Sequence, residues 1–240
     1  MNFWLDQHEA TLIAVDGQPI VPRPVTQPFE LAPGQRVDLM VDASLDPGSV
    51  AEFQEVEGGE SFPFAKFVYS DEAPLRENAL DRPIALPLNA NLISADLNAA
   101  EVVDFHMEGG AMGGMSGAYH QGGYKDINQL IESNMIWAFN QTAGMPEKPL
   151  FTSPLGKSWL IRMRNDTAWD HIIHIHGHHA QVVERNQQVV APEDWRDGFM
   201  VRPRETVGIA FVADNPGVWM VHCHMLEHQA GGMMSRFEVI

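Results

Sequence analysis

A lone cysteine between two histidines, His222-Cys223-His224, constrains this chain more than any other stretch of it. The turn Asn215-Pro216-Gly217 and the apolar run Val218-Trp219-Met220-Val221 lead into it, the pattern of a β-strand with a turn signal in front. Along a strand alternate side chains leave opposite faces, so His222 and His224 point one way and Cys223 the other. His228 and Met233 follow on a glycine-containing stretch. Two histidines and a thiolate with a weak thioether are the soft donor set of a blue copper site. His222 and His224, on the other face, are left for a different metal.

A second cluster repeats this split. Asp170-His171-Ile172-Ile173-His174-Ile175-His176-Gly177-His178-His179 holds five of the eleven histidines. On a strand His174 and His176 share a face, and His171 has the opposite parity. One assignment satisfies both stretches: His171, Cys223, His228 and Met233 at one copper, with His174, His176, His222 and His224 converging on a second metal site. His8 reads as a satisfied structural histidine, and His178 and His179 stay outside both donor sets. Zinc is the chemical rival, but it uses four ligands or three with water and seldom takes methionine, whereas eight donors sorted by strand face are present here.

The rest of the chain sets the frame. Strands are expected at 10–15, 29–32, 36–41, 51–56 and 64–69, with Asp16-Gly17 and Pro33-Gly34 as turns, and Val37, Leu39 and Val41 alternate with polar or thioether side chains. Five strands with nothing before them leave open edges, so strands from upstream of Met1 are expected. Pro74, Pro83 and Pro87 mark a linker over 73–92, dividing a first domain at 1–72 from a second at 93–240. In the second, strands are expected at 101–106, 134–140, 159–165, 171–176, 179–185, 199–202, 206–213, 218–224 and 236–240, the density of a Greek-key sandwich. The glycine-rich stretch 106–123 reads as a mobile loop, in which Met107, Met112 and Met115 either offer thioethers to Cu(I) or play no part. A formal charge of −17 excludes a nucleic-acid partner held through phosphates. There is no apolar run of eighteen residues, so no membrane-spanning helix is expected, and the single cysteine forms no internal disulfide.

These motifs resemble the C-terminal cupredoxin domain of the multicopper oxidases, the laccase-like enzymes, with their patterns His-x-x-His-x-His-Gly and His-Cys-His-x-x-x-His-x-x-x-x-Met. Trp137-Ala138-Phe139-Asn140, 201–207 and 213–219 also resemble the family, and 14–38 is similar to the end of its middle domain. The resemblance implies an all-β, cupredoxin-like Greek-key β-sandwich preceded by an incomplete second cupredoxin-like domain. It implies a type 1 copper at His171, Cys223, His228 and Met233, a type 2 ligand in His174, and type 3 ligands in His176, His222 and His224. Cys223 would pass electrons through its bonded neighbours His222 and His224 to a trinuclear cluster reducing O2 to water, at the expense of a small reducing substrate such as a phenol, a metal ion or Cu(I). The family brings eight histidines to that cluster, four from an N-terminal domain; no such pair of motifs precedes Asp170 here, so an N-terminal domain or another chain is needed to complete it. Gln229 stands where bacterial relatives often carry an acidic residue, so the proton donor is open. Relatives are exported, implying a periplasmic or secreted protein. The alternatives are a non-catalytic copper-binding or electron-transfer cupredoxin and a copper-resistance or sequestration protein.

Overall fold

The computed structural model describes residues 1–76, 78 and 85–240. Pro83 and part of the linker expected over 73–92 lie outside those residues. The chain forms two compact units, Met1–Asn89 and Ala90–Ile240.

The first unit is built from β1 (Asn2–Leu5), β2 (Ala10–Val15), β3 (Gln18–Val25), β4 (Phe29–Glu30), β5 (Val37–Val41), β6 (Val50–Glu57) and β7 (Glu60–Val68). They form two sheets, ordered β4-β1-β6-β7 and β3-β2-β5. Asp16 and Gly17 turn the β2–β3 hairpin with positive φ. β3 was not expected as a strand, because it contains Pro19, Pro22 and Pro24. It survives as an edge strand pairing with β2 alone, where a missing N–H costs no ladder bond on the open side. Phe3, Phe29, Phe53 and Phe64 form an aromatic cluster on the other sheet, while every residue of β7 is exposed. An open cavity of about 660 Å³ remains, lined by apolar side chains including Leu5, Phe29, Leu39 and Phe53.

The second unit contains β8 (Glu101–Gly109), β9 (Gly117–His120), β10 (Gly123–Asp126), α1 (Ile127–Glu132), β11 (Trp137–Phe139), β12 (Thr152–Ser153), β13 (Lys157–Asn165), β14 (His171–Ile175), β15 (Gln181–Arg185), β16 (Gln188–Val189), β17 (Gly198–Val201), β18 (Thr206–Ala213), β19 (Gly217–Cys223), α2 (Leu226–Ala230) and β20 (Met234–Val239). Its two larger sheets run β11-β8-β13-β18-β15-β16 and β12-β20-β19-β14-β17, with β9 and β10 as a separate hairpin. Phe105, Ile161, Met163, Ile209 and Phe211 from the first sheet meet Ile173, Val221, Cys223, Phe237 and Val239 from the second in one core. Burying a large side chain there contributes about 1.5–3 kcal/mol. The outer face of β13 and β18 is also partly covered: Leu160 and Ala210 pack with Val183. On that face Arg162, Gly208 and Glu184 sit side by side in register. Arg162 reaches across Gly208 to Glu184 with paired bonds of 2.8 and 3.0 Å, and a Cβ at Gly208 would lie 2.8 Å from that of Glu184.

The glycine-rich stretch is more ordered than its composition implies. β8 continues to Gly109 and buries Met107 completely, and α1 is closed by a capping box between Asp126 and Gln129. Met115 packs with Leu130, Ala138 and Ala143, while Met112 is exposed. The three thioethers therefore do not face one place.

Candidate metal centre

β14 runs between β17 and β19, with Ile173 opposite Cys223 and His174 opposite His222. Residues directly opposite share a face, so this register sends Cys223 into the core with Ile173 and gathers His174 and His222 outside it. His171 opens β14 with the parity of Ile173 and is fully buried. His228 does not sit on a loop, as the glycines implied, but on the short helix α2, which turns it back toward Cys223. Gly177, with φ +71°, turns the chain just beyond β14 and His176, and the Trp219 indole beside it leaves no room for a Cβ.

His171, Cys223 and His228 form the first donor group. The two Nδ1 atoms are 3.0 Å apart, and Cys223 Sγ lies 3.8 Å from that of His171 and 3.7 Å from that of His228. A point about 2 Å from all three donors falls inside this triangle, the bond length at which imidazole and thiolate hold a small transition-metal ion. The Thr167 hydroxyl donates to Asn165 Oδ1 at 2.8 Å, so at 2.7 Å it accepts from His171 Nε2–H, which fixes the tautomer that leaves the lone pair on Nδ1. The Trp137 indole packs against both rings. Met233 is fully buried; its N–H donates to His228 O and its carbonyl accepts from Cys223 N–H, so the backbone ties it to both donor residues. Burial, then His228, lowers the His171 pKa to about 3; burial also lowers His228 and pushes the Cys223 thiol up. An apolar pocket that resists charge on its own donors needs a cation to hold the thiolate.

His174, His176 and His222 form the second group, their donor atoms within 4.8 Å of one another. His176 Nε2 and His222 Nε2 are 3.0 Å apart. Nδ1–H of His174 donates to Asp197 O and that of His222 to Cys223 O, both at 2.8 Å, so each of these rings carries its proton on Nδ1. The Asp197 carboxylate stands 3.5 Å from His174 Nδ1. His224, expected as the fourth member, is not within that tight group; its ring centroid lies 5.3 Å from His174 and 5.6 Å from His222. Burial lowers the His222 pKa to about 4 and also lowers that of His176.

Three participants escaped the sequence. Thr167 and Asp197 orient histidines, but nothing in their spacing marks them; Trp137 belonged to an expected strand without an assigned contact. His178 packs among Phe211, Trp219 and Phe237, and His8 is half-buried with bonds to Asp6 O and the Tyr69 hydroxyl.

Residues 118–240 match a family model described as multicopper oxidase, and residues 1–54 match a second model of the same description. The chain belongs to the multicopper oxidase family. Among relatives of this multicopper oxidase chain, the multicopper oxidase MmcO of Mycobacterium tuberculosis is 35% identical over 104 residues, 43% of this chain and 20% of the relative. A laccase of Neurospora crassa is 26% identical over 282 residues, 97% of this chain and 44% of the relative. The crystal structure of a multi-copper oxidase from Pseudomonas thermotolerans matches with a TM-score of 0.77 and 28% identity, over 100% of this chain and 51% of that one. The chain thus spans less than half the length of these curated relatives. The expected all-β, cupredoxin-like fold is that of its structural neighbours. Multicopper oxidases are copper-dependent oxidoreductases, and copper suits the His and Cys donors gathered here.

Proposed function

We propose that this multicopper oxidase chain supplies the type 1 copper site and half of the trinuclear cluster of an enzyme that oxidises phenolic or metal-ion substrates by one electron at a time. The observation that carries the reading is the buried triangle of His171, Cys223 and His228, with His222 and His224 bonded on either side of the thiolate residue. Copper would supply one-electron acceptance at the triangle and O2 reduction to water at the cluster. Cys223 joins the two groups through the backbone, Thr167 and Asp197 fix the ring orientations, and Trp137 excludes water from the first group. Residues 1–72 are read as the end of a middle domain, 73–92 as a linker and 93–240 as the C-terminal cupredoxin domain. His174, His176, His222 and His224 provide four histidines, so a preceding domain or another chain completes the cluster. Export to the periplasm or the outside fits the reading, and no helix among the described residues is long and apolar enough to cross a membrane.

For the chain alone, the donor count favours copper binding without oxygen reduction. Loading the 240-residue chain with Cu(II) should give an intense blue band at about one copper per chain, lost in Cys223→Ser, with no oxygen uptake. A colourless copper complex, or a blue band that survives in Cys223→Ser, would sink the type 1 assignment. Oxygen uptake by the chain alone would instead overturn the half-cluster.

A further inference from the structure

We propose that Asn165 is a positioning residue for the first donor group: its buried amide sets the direction of the hydrogen bonds that run through Thr167 to His171, and with it which ring nitrogen of His171 faces Cys223.

Asn165 is the last residue of β13 and is completely buried. Its main chain is held on both sides, Asn165 N–H donating to Glu205 O and Asn165 O accepting from Arg204 N–H, both at 2.9 Å, so the side chain starts from a fixed point. A carboxamide offers two N–H donors and two lone pairs on oxygen. All four are taken. Nδ2 donates to Trp169 O at 2.7 Å and to Val201 O at 2.9 Å, and Oδ1 accepts from Thr167 N–H at 2.9 Å and from the Thr167 hydroxyl at 2.8 Å. The neighbours leave the amide one orientation, because the two carbonyls only accept and the Thr167 main-chain N–H only donates. Val201 stands opposite His171 in β17, so the same amide ties the 166–170 loop to the strand beside the histidine.

That orientation is passed on. The second acceptor within reach of the Thr167 hydroxyl, Trp169 O at 3.2 Å, is itself held by Asn165 Nδ2, so both acceptors offered to the hydroxyl hydrogen depend on Asn165. With its hydrogen committed, Thr167 Oγ1 has only lone pairs for Trp169 N–H at 3.1 Å and His171 Nε2–H at 2.7 Å. Turned around, the hydroxyl would donate to Nε2, and the ring proton would sit on Nδ1, which faces Cys223 Sγ at 3.8 Å and His228 Nδ1 at 3.0 Å. A side chain on β13 thus selects the tautomer of a histidine on β14. That the lone pair so presented meets copper rests on the proposed function; the choice of tautomer does not.

The metal-free full chain, labelled with 15N at histidine, reports the tautomer directly, because the protonated and bare nitrogens of a neutral imidazole resonate far apart. The parent should show His171 as one tautomer, with Nε2 protonated and Nδ1 bare. Asn165→Leu should draw the two resonances toward each other as the ring averages between tautomers. Asn165→Ser carries the same expectation if the leucine variant does not fold, since water in the vacated space both donates and accepts and imposes no direction. Asn165→Asp keeps an acceptor facing Thr167 and loses both donors, so it should retain the single tautomer even while it lowers stability. A single tautomer in Asn165→Ser, or averaging in Asn165→Asp, overturns the proposal. With Cu(II) added, Asn165→Ser should bind about 10–100-fold more weakly than the parent, the usual effect of losing a group that orients a metal-bound histidine, and an unchanged affinity also overturns it. If the parent takes on no blue colour while the tautomers behave as stated, the copper reading falls and the control of His171 by Asn165 stands.

Discussion

Each oriented histidine at the metal groups divides its two nitrogens between different tasks. His171 spends Nε2 on Thr167 and turns Nδ1 toward Cys223; His174 and His222 spend Nδ1 on backbone carbonyls. The spacing of the histidines was legible in the sequence because strand parity sorts them, but their orienting partners were not, since Thr167 and Asp197 are brought in by folding. Burial of these rings has a consequence for the metal-free chain. The folded pKa falls from 6.5 to about 3 for His171 and to about 4 for His222, so the unfolded state binds more protons below 6.5. Stability from these two groups is therefore full above about pH 6.5 and drains away as the pH falls toward those values. The melting temperature of the metal-free chain should fall from pH 7 to pH 4, with a shallower fall in His171→Leu. A flat profile would contradict the burial.

At the level of elements, apolar runs and alternation between turn signals marked most of the longer strands, and elements without either signal were missed. The 37–41 alternation became β5, whereas β3 was hidden by its prolines and α2, only five residues long, was too short to show a helical period. Gly208 is the converse case. An interior strand glycine normally weakens a sheet, but here it opens the channel through which Arg162 grips Glu184. The Arg162 hydrogen bond holds the Glu184 carboxyl below its usual range, so the pair helps the fold above the ordinary glutamate pKa and is lost as the pH drops through the lowered value. Gly208→Ala should cost about 1–3 kcal/mol in urea unfolding, because the new methyl meets the base of the Glu184 side chain. A change within about 0.5 kcal/mol would show that Glu184 moves aside freely.

Across the whole molecule, the two units differ in how completely they are filled. The second has a continuous core between its sheets; the first keeps an open apolar cavity and an edge strand, β7, exposed along its length with Phe62, Phe64 and Phe67 at the surface. Backbone amides of β6 and β7 should exchange with deuterium at least about tenfold faster than those of β13, β18 and β19, since opening free energies follow buried contact. Uniform protection across the two units would refute that. Five strands made open edges in the first region an expectation from the sequence, but which strand would stand exposed was not legible, because it depends on which strands are neighbours. The alignment of β14 with β19 carries one last consequence. Slipping β19 by a single residue would put Cys223 among the outward histidines and His222 in the core. Blue absorbance per molecule would then double as a proofreading signal for folding: only chains that zipped these two strands in the native alignment would take on colour.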